Sequence, residues 1–192
     1  MHMKISNFSK WEKWHRRDKL DGLKYPGVYA LAISSKNLTG TPFSLIKNIV
    51  YFGMTNSING LQGRLRQFDI TIKAGKDSLH GGAERFRFKY TNYEELTKKL
   101  YVSVNFIDCN VKSNKPADLY KMGEIVCFEY ICLAEYSKKF DQLPKFNDKK
   151  KHQRSKHNKS INPTGNKPGR VLVQGACPGG LFRTLCALMA PA

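Results

Sequence analysis

Two short apolar runs, each carrying a tyrosine and each preceding a turn or polar loop, limit this chain more than any other feature. The first is Gly27-Val28-Tyr29-Ala30-Leu31-Ala32-Ile33 and the second Ile49-Val50-Tyr51-Phe52-Gly53-Met54. In the first, Val28, Ala30 and Ala32 alternate with Tyr29, Leu31 and Ile33, the two-residue period of a β-strand with a buried face. After the second, Thr55-Asn56-Ser57 offers helix N-caps, and Leu61, Leu65 and Phe68 recur at helical spacing. The expected unit is therefore strand, strand, helix, with Arg64 at the edge of the helix's apolar face and Arg66 on the same helix. The stretch between the strands, 34–48, is too long for a tight hairpin turn and predicts an extended, exposed loop.

The rest of the chain supplies a third strand, at Tyr101–Ile107, and a long helix over about 117–140 opened by Pro116. Ser9-Lys10-Trp11-Glu12 has the pattern of a capping box and predicts a short helix over about 10–20. Trp11 and Trp14 then either dock that helix on the domain or reach a nucleic acid, docking being the simpler use of two indoles. Residues 73–90 break the pattern: Ser78-Leu79-His80-Gly81-Gly82 reads as a loop. Arg85, Arg87 and Lys89 then alternate with Phe86, Phe88 and Tyr90, as in an extended segment with one basic and one aromatic face. Thr91-x-x-Glu94 is a second candidate capping box, for a helix near 92–98. The predicted fold class is α+β, a small mixed or antiparallel three-stranded sheet flanked by helices. Its organisation is a helical N-terminal extension (1–24), a domain (25–147) and a tail (148–192) that is lysine-rich and then Gly/Pro-rich.

Charge narrows the partner. Thirty-three Lys and Arg against 15 Asp and Glu leave a net +18, and cations that neutralise phosphates release condensed counterions. A membrane is the rival polyanion, but no stretch approaches the roughly 18 apolar residues of a span. The five cysteines form no CxxC pair and have no histidine at zinc-finger spacing. The expectation is a cytoplasmic protein without structural zinc, acting on nucleic acid. Within the long helix one carboxylate, Glu129, interrupts the apolar run Ile125 to Leu133. An unpaired buried carboxylate costs several kcal/mol, so Glu129 requires an arginine partner, a metal or a route to solvent.

Taken together, Gly27-Val28-Tyr29, Tyr51-Phe52-Gly53 and an arginine-bearing helix behind them resemble the GIY-YIG nuclease superfamily, over roughly residues 25–147. The resemblance implies a metal-dependent endonuclease, here of restriction type, cutting double-stranded DNA with Mg²⁺ or Mn²⁺. It implies Tyr29 as general base or nucleophile-orienting group, Tyr51 beside the phosphate or water, Arg64 on the non-bridging oxygens and Glu129 as metal ligand, with Glu124 the second choice. Pro144-x-x-Asn147 is similar to an ending of that family in which the asparagine supports the site. His80 is the candidate for a missing proton donor, because the sequence departs from the family at Phe68 and Met54, where members often carry His, Tyr or a basic residue. Arg66, Arg85, Arg87, Lys89, Lys149, Lys150 and Lys151 are the expected DNA contacts, with the insertions 35–48 and 70–90 reading bases. A palindromic target implies a homodimer. The alternatives are a non-catalytic nucleic-acid-binding protein on the same scaffold, or a repair or RNA-directed nuclease.

Overall fold

The central layer is an antiparallel sheet of four strands in the order β1-β4-β2-β3: β1 Glu12–Lys13, β2 Gly27–Ile33, β3 Ile49–Thr55 and β4 Leu100–Phe106. The computed structural model describes residues 3–74 and 81–147, all within one compact unit. The α+β class is as expected, but the sheet has a fourth strand. Residues 10–20 are not an α-helix. Glu12 and Lys13 pair with Val102 and Tyr101, and Trp14–Lys19 form a 3₁₀ helix. Ser9 caps nothing; its hydroxyl meets Ser103 and the Val104 amide, so the apparent capping box is a device for adding an edge strand.

β2 lies between β3 and β4, with Tyr29 opposite both Gly53 and Val104. Its residues Gly27 to Ala32 are all buried, because the sheet is covered on both faces. One face, with Tyr29, Leu31, Val102 and Val104, packs on Leu61, Leu65 and Phe68 of helix α1 (Gly60–Ala74) and on Phe86 of α2 (Gly81–Lys89). The other, with Val28, Ala30, Ala32 and Phe52, packs on Ile125, Phe128, Cys132 and Tyr136 of α4 (Pro116–Phe140). Pro116 sits in the first turn of α4, and Asp141 ends it in the left-handed region at φ 55°.

Three further elements differ from the pattern-based expectation. The segment 85–90 is not extended: α2 is helical, so Phe86 is buried while Phe88 is 82% exposed, and its aromatic residues do not share a face. The helix after it, α3 (Tyr93–Lys99), is capped by Asn92, whose side-chain oxygen accepts the Glu95 amide, rather than by Thr91. The 34–48 loop turns partly inward. Phe43 stacks on Phe8 with centroids 4.1 Å apart, and Gly40 and Thr41 exchange backbone hydrogen bonds with Trp11. Trp11 and Trp14 are buried, as docking requires. Asp69 accepts from the Trp14 indole at 2.6 Å and the Tyr93 hydroxyl at 2.8 Å and pairs with Arg17 at 3.2 Å, which ties the N-terminal segment to α1 and α3. Among the described residues no helix is long and apolar enough to cross a membrane.

Candidate functional site: a tyrosine–arginine–carboxylate cluster

The register of β2 against β3 creates the site. Tyr29 is directly opposite Gly53, and two residues back along β3 Tyr51 projects from the same face. The two rings lie 6.0 Å apart at 49°. A Cβ at position 53 would stand 2.5 Å from the Tyr29 hydroxyl and 2.7 Å from Cε1 of Tyr51, so only glycine leaves both phenols in place. Gly27 answers a similar demand on the other side of β2, where a Cβ would meet the Asn105 carbonyl at 2.3 Å.

Beneath Tyr51 the floor is aromatic. Phe68 of α1 and Phe86 of α2 lie 6.3 and 6.1 Å from its ring, and both are fully buried. Phe68 therefore serves packing and transfers no proton. Met54 likewise packs against the second core.

The charged groups arrive from three different helices. Arg64 of α1 is half-buried, hydrogen-bonds the Tyr29 hydroxyl and has Nη1 at 3.5 Å from Gln67, the outer limit of a hydrogen bond. Its Nε is buried with no hydrogen-bond partner among the described residues. Arg85 of α2 donates from Nη1 to the Phe146 carbonyl, and its charge is felt at Tyr51. Glu129 of α4 is half-buried, takes part in no ion pair among the described residues, and acts electrostatically on Tyr29, Tyr51 and Arg64.

Protonation follows from those neighbours. Burial pushes the Tyr29 phenol well above its ordinary 10, with Tyr51 adding to the shift and Arg64 opposing it. Tyr51 is raised as well, by burial and then by Glu129, against Arg64, a hydrogen bond from Tyr29, and Arg85. Burial also raises the Glu129 carboxyl above the usual range, with Arg64 pulling the other way. Cys132, one turn along α4, is pushed up to about 12 by the same burial and is an inert core thiol, whereas Cys127 faces outward.

Asn147 has a structural task at the site. Its Oδ1 accepts the Phe52 amide and its Nδ2 donates to the Phe52 carbonyl, both at 2.8 Å. The Phe146 amide meanwhile donates to the Val50 carbonyl at 2.9 Å. The segment thus covers the free edge of β3 on either side of Tyr51, and the Asn147 side chain is engaged with the Phe52 backbone.

The remaining candidates separate cleanly. Glu124 accepts the Met3 amide and is not among the charges acting on either phenol, which leaves Glu129 as the carboxylate of the cluster. Arg66 and Lys89 are exposed and Arg87 half-buried, so all three reach solvent from α1 and α2. His80, Lys149, Lys150 and Lys151 lie outside the described residues. Arg85, expected as a DNA contact on an extended segment, is brought beside Tyr51 by helical geometry instead. The basic-aromatic alternation of 85–90 conceals this, because it matches a two-residue period.

Fold and site define an α+β domain in which two phenols on neighbouring strands, two guanidiniums and one carboxylate act on one another electrostatically. Comparison of the chain with protein-family models, curated proteins and solved structures finds no match.

Proposed function

We propose that this protein is a GIY-YIG-type endonuclease that hydrolyses phosphodiester bonds in double-stranded DNA. One observation carries the reading. The Arg64 guanidinium, whose buried Nε has no partner among the described residues, shares its surroundings with two hydrogen-bonded phenols and a carboxylate that forms no ion pair there. An unmatched buried donor costs about 1–3 kcal/mol; Nε itself is sealed from solvent, so an anion would meet this guanidinium at its Nη groups. Guanidinium matches phosphate in geometry and keeps its charge at any physiological pH, and the net charge of +18 favours a polyanion.

Hydrolysis of a phosphodiester needs a nucleophile stripped of its proton, charge stabilisation on the phosphorane and a stabilised leaving oxygen. Arg64 supplies the second. Tyr51 is the phenol that meets substrate, because it keeps some solvent exposure while Tyr29 has none. Tyr29 stands behind it, held by Arg64, and its hydroxyl orients that of Tyr51. A phenol raised above 10 is almost wholly protonated at neutral pH, and Arg64 and Arg85 both favour the deprotonated form of Tyr51.

Glu129 is the residue that would hold a divalent metal, Mg²⁺ or Mn²⁺. No group of three His, Cys, Asp or Glu residues suited to a metal exists among the described residues, so the carboxylate acts alone among them. A single half-buried carboxylate of this kind suits a hard cation that keeps most of its waters. When bound, such a cation supplies Lewis-acid stabilisation of the leaving oxygen.

The specific observation that favours a second reading is Phe68, buried where a proton donor would be useful. On that reading the scaffold binds nucleic acid without turnover. Incubating supercoiled plasmid with the protein in Mg²⁺ or in EDTA decides between them. Metal-dependent cutting that disappears in Arg64→Ala and Glu129→Gln supports the nuclease. A gel shift with no cutting supports the binding protein.

A further inference from the structure

The most exposed large apolar side chain among the described residues is Phe88, 82% accessible in the last turn of α2. Its neighbours in sequence are Arg87 and Lys89, and it borders a groove of about 270 Å³ lined by Arg87, Phe88 and Thr91. A second groove of about 240 Å³ runs past Lys89, Tyr90, Thr91 and Lys99, so Thr91 lines both. Neither reaches the roughly 300 Å³ at which pockets for drug-sized ligands begin. Helix geometry connects this place to the cluster: Arg85, the guanidinium beside Tyr51, precedes Phe88 by three residues and Lys89 by four, one turn along the same side of α2.

A bare phenyl ring adjoined in sequence by two cations costs solubility and adds nothing to the core, since Phe86 already fills the position under Tyr51. Flat apolar surface with flanking positive charge suits a nucleobase whose two adjoining phosphates need neutralising. Apolar side chains of this type enter between base steps and unstack them, and stacking on an aromatic ring is tolerant of sequence because every base has a π-face.

We propose that Phe88 is a base-stacking wedge: it inserts at a base step of bound DNA while Arg87 and Lys89 hold the flanking phosphates and a further phosphate lies one helical turn away, at Arg85 and Tyr51. The proposal rests on the nucleic-acid part of the reading above and not on turnover. It predicts a contribution to affinity that salt does not screen, because stacking releases no counterions.

Phe88→Trp gives the direct test. The chain has two tryptophans, and both are buried, Trp11 at 2% and Trp14 at 0%, so a base stacking on position 88 quenches only the introduced indole. Full-length protein is titrated with a mixed-sequence fluorescent duplex, anisotropy reporting binding and tryptophan emission reporting stacking. The expected results are quenching in Phe88→Trp but not in wild type, and roughly 5- to 100-fold weaker binding by Phe88→Ala with an unchanged salt slope. Arg87→Ala and Lys89→Ala are each expected to lower that slope by about 1. Binding by anisotropy without quenching, together with Phe88→Ala within twofold of wild type, overturns the wedge and leaves DNA binding standing. No binding by wild type at low salt overturns both. Conversion of a sedimenting dimer into monomer by Phe88→Ala assigns the surface to a second copy of the chain and also overturns the wedge. Far-UV circular dichroism unchanged in each variant, as an exposed site requires, completes the comparison.

Discussion

Tyr29 and Gly53 face each other across β2 and β3 with no room for a methyl group between them: a Cβ on residue 53 would lie 2.5 Å from the Tyr29 hydroxyl. Gly53→Ala must therefore displace a buried phenol, and overpacking of this kind costs about 1–3 kcal/mol. In a chain of this length each kcal/mol lowers Tm by roughly 2–4 °C. Adding Tyr29→Phe removes the atom that the new methyl group strikes first. The double variant should regain part of the lost Tm while remaining inactive on plasmid, which thermal melts and cleavage assays measure separately.

Arg64 bonds the Tyr29 hydroxyl, but its Nε is unmatched among the described residues and its Nη1 lies 3.5 Å from Gln67, the outer limit of a hydrogen bond. Arg64→Ala should reduce cleavage by about 10²–10³-fold, the range for loss of one preorganised transition-state donor. Its Tm should stay within a few degrees of wild type. Arg64→Lys keeps the charge but loses the fork, and should recover only a small part of the rate.

Asn147 substitutes for a neighbouring strand at Phe52. Asn147→Ala leaves two backbone groups of the β3 edge without that partner and should cost about 1–3 kcal/mol in urea melts. Asn147→Asp is expected to be no better, since a second carboxylate oxygen would face the Phe52 carbonyl in place of an N–H donor. Activity should fall in both, with retained activity in a still-destabilised variant separating support of the site from chemistry in it.

Two pH effects have opposite signs. Both phenols are raised above 10, chiefly by burial, so if a phenolate accepts the proton, log(kcat/KM) rises with unit slope through neutral pH and shows no plateau below about 10. A plateau near pH 7–8 would assign the base elsewhere. Glu129 has its carboxyl raised in the folded state, again by burial first. The folded protein then holds that proton more tightly than the unfolded chain, so stability falls as pH rises through the folded value. Glu129→Gln should accordingly raise Tm by a few degrees at neutral pH and lose that advantage in acid. Mg²⁺ should raise the Tm of wild type and not of Glu129→Gln.

Much of the scaffold can be read directly from local pattern. β2, β3, β4 and α4 are long, apolar and bounded by Gly, Pro or polar turns, and each lies within a residue or two of its expected place, while α1 runs on to Ala74, into the stretch expected as an insertion. The elements that depart from expectation have patterns that fit two structures. Ser9 and Glu12 satisfy the spacing of a capping box, yet Glu12 instead pairs with Val102, a partner far along the chain. The Arg-Phe alternation of 85–90 fits a strand, but one ring has a buried place to occupy and the other has none. The loop at 34–48 is polar overall, and it turns inward because Leu38, Phe43, Leu45 and Ile46 pack on the core beside Phe8.

The sequence by itself determined the chemistry available: two tyrosines in successive strands, a glycine two residues beyond the second of them, an arginine at a helix edge, a solitary glutamate in an apolar helix and a large positive charge. These are consequences of residue type and short-range spacing, which the chain carries wherever it goes. Only the tertiary structure decided which of them meet. Arg64, Arg85 and Glu129 come from three helices on two sides of one sheet, and the distance between such groups is set by strand register and by layer packing. It was register that put Tyr29 over Gly53, and helical pitch that turned Phe86 into the core and Phe88 toward solvent.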